Sequence, residues 1–105
     1  MAKFLLDYRG GSAPETDEAR AASMTAWTNW FTNLGPAVVD AGNPTSQGKT
    51  INADGSVSGD GRAAASGYSI LSADSLDAAL TMAKSCPIIG DGGGSIDVCE
   101  TFDIM

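Results

Sequence analysis

The sequence predicts an α+β fold made of two consecutive strand–helix–strand units. Two stretches carry apolar side chains every three or four residues, which is typical of helices that bury one face. Each of them lies between stretches rich in strand-forming residues. Because such crossover connections are right-handed, both helices should cover the same face of one sheet. The length of 105 residues suits one domain, so we expect a single domain over residues 1–105.

The first strand is expected at residues 3–9, an apolar and aromatic run that Gly10 and Gly11 interrupt. A helix start is expected at residues 12–15, where a serine, a proline and a glutamate have the spacing of a capping box. The apolar helical spacing then continues to Leu34. Gly35–Pro36 should end the helix, because proline cannot continue it.

The second strand is expected at residues 37–41, where Asp40 should share a face with Val38 because strand side chains alternate. Residues 45–66 are polar and rich in Gly, Asp and Ser. Within them the sequence predicts a hairpin with strands at 50–51 and 56–58 and its turn at 53–55.

The second half repeats the pattern of the first. It predicts a strand at 67–73, a helix opening at Asp74 or Ser75, a stop at Cys86–Pro87 and a last strand at 95–102. The expected buried stripe of this helix is Leu76, Ala79, Leu80 and Ala83. The element order gives a ferredoxin-like α+β sandwich with a hairpin insertion, and it leaves one sheet face without a helix.

Charge and composition narrow the class of partner. Thirteen acidic residues against six basic ones give a net charge of −7, and the basic residues are scattered. Nucleic-acid binding and anionic membrane surfaces require clustered positive charge, so we expect neither. No apolar run in this sequence is long enough to span a bilayer, and we expect no signal peptide in the residues M-A-K-F-L-L-D-Y-R. Cys86 and Cys99 suit free thiols in a reducing compartment, so we expect a cytoplasmic protein.

The chain has no histidine. This excludes Ser-His-Asp and Cys-His nucleophilic systems and imidazole-bound zinc. The segment Gly48–Thr50 resembles part of a phosphate loop but lacks its earlier glycine and its following helix. We therefore expect no cofactor and no metal, and any catalysis has to use carboxylates, Tyr, Lys, Arg or Cys.

Three residues are candidates for catalysis. Asp7 and Asp40 lie within predicted strands, where aspartate is disfavoured. Desolvation in a cleft would raise the pKa of such a carboxyl group and suit it to act as a general base. Tyr68 could then donate a proton. The alternative is that Asp7 forms an ion pair with Arg9 or Lys3 at a strand edge.

The candidate ligand-binding residues are Tyr8, Arg9, Trp27 and Asn43. Arg9 could bind a ligand carboxylate. Trp27 shares helical spacing with two further aromatic residues, for which a core position is the commoner role, although a tryptophan at a pocket rim is also common.

The chain resembles the YCII-related family, also called the DGPF-domain family, of the dimeric α/β-barrel superfamily. The resemblance is carried by K-F-L-L-D-Y-R-G-G (3–11), W-x-x-W-F-x-x-L-G-P with D-A-G-N-P (27–44), G-Y-S-I-L-S-A-D-S-L-D-A-A-L (67–80) and Cys86–Pro87. The His-Asp pair of some members is absent here, and Asp54–Val57 lacks the Pro and Phe of the D-G-P-F signature.

The resemblance implies a bacterial-type homodimer whose open sheet faces pack together, with a cleft near the interface for a small organic molecule. Two function classes follow. One is a non-catalytic or regulatory dimer that binds a small molecule in an inter-sheet cleft. The other is an isomerase-type enzyme, with Asp40 or Asp7 as the base and Tyr68 as the proton donor.

Overall fold

A computed structural model of the chain describes residues 1–11, 15–46, 48–59, 65–90 and 93–104. The elements are β1 Ala2–Gly10, α1 Asp17–Leu34, a 3-10 turn Gly35–Ala37, β2 Val38–Asp40, β3 Thr50–Ile51, β4 Val57–Ser58, β5 Ala65–Ala73, α2 Leu76–Ala83 and β6 Gly94–Thr101. Strands β2, β5, β1 and β6 form one antiparallel sheet in that order, and β3 and β4 form a separate hairpin. This arrangement confirms the ferredoxin-like α+β prediction.

Both helices begin at a hydroxyl cap. Thr16 Oγ1 accepts a hydrogen bond from the Ala19 amide at 3.0 Å, and Ser75 Oγ accepts one from the Ala78 amide at 3.1 Å. Such caps satisfy amides that have no partner within the helix. The predicted start of α2 is confirmed. The predicted capping box at residues 12–15 lies mostly outside the described residues, and α1 begins at Asp17.

The core lies between the helices and one face of the sheet. Alternate residues of β1 and β5 are fully buried there, among them Phe4, Leu6 and Leu71. Trp30 of α1 is 5% exposed and joins this core, as its helical spacing indicated. Among the described residues, no helix is long and apolar enough to cross a membrane.

The buried face of α2 differs from the predicted stripe. Ala79 and Ala83 are buried, whereas Leu76 and Leu80 are 46% and 38% exposed. The contact of α2 with the core therefore runs along its small side chains, and the two leucines lie at its margins. The prediction that the two alanines are buried is confirmed, and the prediction that the two leucines are buried is wrong.

A bulge in β2 changes the direction of Asp40. Val38 pairs with Leu71, and Asp40 pairs with the neighbouring Ile70, so two steps along β2 match one step along β5. Because neighbouring residues of β5 point to opposite faces, Asp40 and Val38 do not share a face. The prediction that they do was wrong, since simple alternation does not hold across a bulge.

Candidate functional site

A cavity of about 330 Å³ lies between α1, the loop after β2 and the beginning of β5. This volume falls within the range of small-molecule pockets. The cavity is on the helix side of the sheet, where the loop after β2 leaves the sheet beneath α1. The cleft between two sheets that the sequence predicts would lie on the opposite sheet face and stays a prediction.

One wall of the cavity is aromatic. The rings of Trp27 and Tyr8 meet edge to face, with centroids 5.2 Å apart and an angle of 79° between their planes. Phe31, one helical turn after Trp27, has its ring centroid 6.0 Å from that of Trp27. These separations are those of favourable aromatic pairs. Since the rings also contact one another, the wall is held in place without a ligand.

The opposite wall is mainly backbone. Pro44 forms an isolated antiparallel bridge with Gly67, and the Tyr68 amide donates to the Asn43 carbonyl oxygen at 3.3 Å. These pairs extend the edge of the sheet beyond β2. They bring residues 41–44 alongside β5 and so place Asn43 and Tyr68 in the lining.

Gly42 is required at the turn into this wall. Its φ is +76°, and a Cβ atom built there would overlap the carbonyl group of Tyr68. Only glycine adopts this conformation freely and permits such a close approach of two backbones. Asp40 supports the turn, because its Oδ1 accepts a hydrogen bond from the Gly42 amide at 2.8 Å.

The polar part of the lining is a chain of hydroxyl groups. Tyr8 Oη donates to Ser69 Oγ at 2.7 Å, and Ser69 Oγ donates to the Ala41 carbonyl oxygen at 2.7 Å. Ser69 is completely buried and Tyr8 is 6% exposed. Burial raises the pKa of Tyr8 above its ordinary value, although the hydrogen bond with Ser69 acts in the other direction. Tyr8 therefore keeps its proton near neutral pH.

The structure brings some predicted site residues together and separates others. Tyr8, Trp27, Asn43 and Tyr68 line the cavity. Asp40 is exposed and is not part of the lining.

Asp7 and Arg9 lie on the other face of the sheet, because they alternate along β1 with Tyr8. Arg9 Nε donates to Asp97 Oδ2 at 2.6 Å, and Arg9 Nη2 lies 3.5 Å from Asp7 Oδ2. The hydrogen bond with Asp97 raises the pKa of Arg9, and both carboxylates add to the effect. Asp7 thus takes part in the ion pair that the sequence left open as an alternative.

Sequence reasoning missed Ser69 and Ile88, which also line the cavity. A signal for Ser69 existed: it alternates with buried Leu71 on β5, and a polar residue on a core face requires a partner. Ile88 follows α2 in an irregular segment, where no periodicity marks which side chains are buried.

The described lining contains no charged side chain. Within the same described residues, no cluster of three or more His, Cys, Asp or Glu side chains could hold a metal ion. The described part of the cavity therefore offers aromatic surface, backbone groups and hydroxyl groups.

No family model and no curated protein matches the chain. Among solved structures, it is similar to 5-chloro-2-hydroxyhydroquinone dehydrochlorinase from Burkholderia phenoliruptrix AC1100 in complex with 2,5-dihydroxybenzoquinone. The TM-score is 0.57 and the identity 21%, over 96% of this chain and 93% of the other. At this identity the likeness shows the fold alone, and this fold is the α+β arrangement described above.

Proposed function

We propose that this protein binds a small, uncharged aromatic molecule in the cavity beneath α1. The observation that carries the proposal is the lining itself: an aromatic wall of Tyr8, Trp27 and Phe31 faces a backbone wall, with one buried hydroxyl pair. Apolar pockets with a few fixed polar groups are the usual form of small-molecule sites.

Charge supports a neutral ligand. A carboxylate or phosphate buried in the cavity would need a cationic partner to offset its desolvation. Arg9, the predicted carboxylate-binding residue, lies across the sheet and is paired with Asp97. A neutral ring avoids this cost and gains contact with Trp27 and Phe31.

The structural neighbour agrees with a ligand of this size. It is named for a chlorinated hydroxyhydroquinone and was solved with a dihydroxybenzoquinone. Because the likeness is one of fold, it does not extend dehydrochlorination to this chain.

We propose that the protein binds its ligand without catalysing a reaction, in a non-catalytic or regulatory role. The two candidate bases, Asp7 and Asp40, lie outside the cavity lining, whereas Tyr68 lies within it. The isomerase-type alternative would then lack a carboxylate base among the described lining residues. Asp7, Asp40 and Tyr68 are therefore not needed as catalytic residues under this proposal. Tyr68 pairs with Asp7 in the strand register, so its ring points away from the sheet face that carries Tyr8 and Ser69.

We also propose membership of the YCII-related family, a cytoplasmic location and a homodimer. The sheet face opposite the helices carries Leu5, Ile70 and Cys99 side by side in the strand register. Packing of two such faces would bury this apolar surface. Light scattering at micromolar concentration should then give twice the chain mass of 10.7 kDa. A mass of one chain would refute the dimer and leave the cavity proposal standing.

The binding proposal is tested by thermal unfolding with 4-methylphenol and with benzoate, a charged ring of similar size. At ten times its Kd, a ligand stabilises the folded state by about 1.4 kcal/mol, which corresponds to a Tm increase of roughly 6–11 °C. We expect this increase for 4-methylphenol and not for benzoate.

Two variants of α1 make the test specific. Trp27→Leu should lose the shift because it removes the aromatic wall. Met24→Ala should keep it, since Met24 is 70% exposed on the same helix. The proposal is wrong if no uncharged ring raises the Tm up to its solubility limit, or if Trp27→Leu retains the full shift.

A further inference from the structure

The direction of the hydrogen bonds in the cavity is determined by the last acceptor in the series from Tyr8 to Ser69 to Ala41. The Ala41 carbonyl oxygen can only accept a hydrogen bond. The single proton of Ser69 Oγ must therefore point to it across the 2.7 Å separation. Ser69 Oγ can then only accept from Tyr8, so the single Tyr8 proton is also in use.

This direction leaves lone pairs and no free proton on both hydroxyl oxygens. A hydroxyl group has one donor and two acceptor positions. Tyr8 Oη keeps two acceptor positions and Ser69 Oγ keeps one. Burial raises the pKa of Tyr8, so the phenol stays protonated and the direction does not reverse near neutral pH.

A ligand oxygen that only accepts would face the lone pairs of Tyr8 Oη without a proton between them, whereas Ser69 is completely buried. A phenolate would add a negative charge and increase the repulsion. The lining residues Asn43, Trp27 and Ser66 also carry donors, but they are more exposed than Tyr8, and water competes for them. The buried part of the cavity therefore decides the preference.

We infer that the cavity selects aromatic ligands with a hydrogen-bond donor, namely neutral phenols and hydroquinones, over the ethers, quinones and phenolates of the same ring. This inference rests on the proposed function, because it concerns the same cavity. The donor of the ligand completes the chain: ligand to Tyr8, Tyr8 to Ser69, Ser69 to the Ala41 carbonyl oxygen.

A matched pair of ligands tests the inference. 4-Methoxyphenol and 1,4-dimethoxybenzene share a ring and an ether and differ in one O–H group. One additional net hydrogen bond corresponds to about three- to tenfold in affinity. Isothermal titration with the wild-type protein at pH 7 should show the phenol binding more tightly by about this factor.

Two variants separate hydrogen bonding from shape. Tyr8→Phe removes the accepting oxygen and leaves the Ser69 bond to Ala41 in place, so the affinity ratio should fall towards one. Ser69→Ala removes the acceptor of the Tyr8 proton, which is then free to point to the ligand. The diether should therefore bind Ser69→Ala more tightly than it binds the wild type. If the added space alone were responsible, the affinity of both ligands would rise.

The matched control is Ser72→Ala, on the same strand β5 but on the opposite sheet face, which should leave the wild-type ratio unchanged. Circular dichroism shows whether each variant is folded. If a variant does not fold, the ratio of the two ligand affinities for the wild-type protein tests the inference by itself. Equal affinities, or tighter binding of the diether, overturn the inference and leave the proposed function intact. If neither ligand binds the wild-type protein, both fail.

Discussion

Replacement of Trp30 by alanine is expected to remove a large part of the stability of this domain. The side chain is 5% exposed, and its Nε1 donates to the Met82 carbonyl oxygen at 3.2 Å and to Ser85 Oγ at 3.0 Å. Its ring centroid lies 4.9 Å from that of Phe31. Trp30 thus connects α1 with the end of α2 and with the aromatic wall of the cavity.

The magnitude follows from burial and from the hydrogen bonds. Truncation of a buried tryptophan to alanine costs about 3–5 kcal/mol, against a total of about 5–15 kcal/mol for a typical domain. Trp30→Phe should cost only about 1–2 kcal/mol. It keeps most of the ring, and the Met82 carbonyl oxygen still accepts from Ser85 Oγ at 2.9 Å.

Urea unfolding followed by far-ultraviolet circular dichroism measures these losses without relying on tryptophan fluorescence. The control is Met24→Ala on the exposed side of α1, expected within about 0.5 kcal/mol of the wild type. A loss below about 1 kcal/mol for Trp30→Ala would show that the ring is not in the core, and the reasoning would be refuted.

Three further predictions concern the backbone wall, the pH dependence and the thiols. Gly42→Ala should destabilise the domain by about 2 kcal/mol or more because its Cβ would overlap a carbonyl group, whereas Gly48→Ala, with open space around it, should be nearly neutral in urea unfolding. Tyr8 has a higher pKa in the folded protein than in the unfolded chain, so its protonation stabilises the folded state. This contribution is complete below about pH 10, the ordinary tyrosine pKa, and is lost as the pH rises through the higher pKa of the folded state. Thermal unfolding between pH 8 and 11 should therefore show a steeper loss for the wild type than for Tyr8→Phe, and equal slopes would contradict this. Burial raises the pKa of Cys86 to about 11, so iodoacetamide at pH 8 should spare Cys86 in the folded protein and modify it once urea has unfolded the chain, as read by peptide mass spectrometry.

Local chemistry in the sequence was sufficient to predict most of the elements. Gly35–Pro36 ends α1, and Ser75 caps α2, because these residues act on the backbone next to them. The hairpin was also confirmed, with Thr50 opposite Ser58 and Ile51 opposite Val57. Right-handed crossovers then place both helices on one face of the sheet.

The bulge and the cavity could not be predicted in this way. The bulge at Asp40 and the close approach of Gly42 to β5 depend on pairing between segments far apart in the chain. The local preferences of single residues for helix, strand or turn do not determine such pairing.

The grouping of Tyr8 with Asp7 and Arg9, in contrast, was excluded by alternation alone. Neighbouring residues of a strand point to opposite faces, so these three side chains could not share one site. The same alternation pointed to Ser69, since it lies on the face that β5 turns to the core.

The division of the cavity into an aromatic wall and a backbone wall has a consequence for how its ligand preference can change. The backbone wall is built from Gly42, Gly67 and the peptide groups beside them, so amino-acid replacement there alters the fold before it alters the cavity. Positions 27 and 31 of α1 carry no such constraint. Evolutionary divergence and laboratory redesign of the ligand therefore share the same two positions, while the glycines mark the part that a functional descendant has to inherit unchanged.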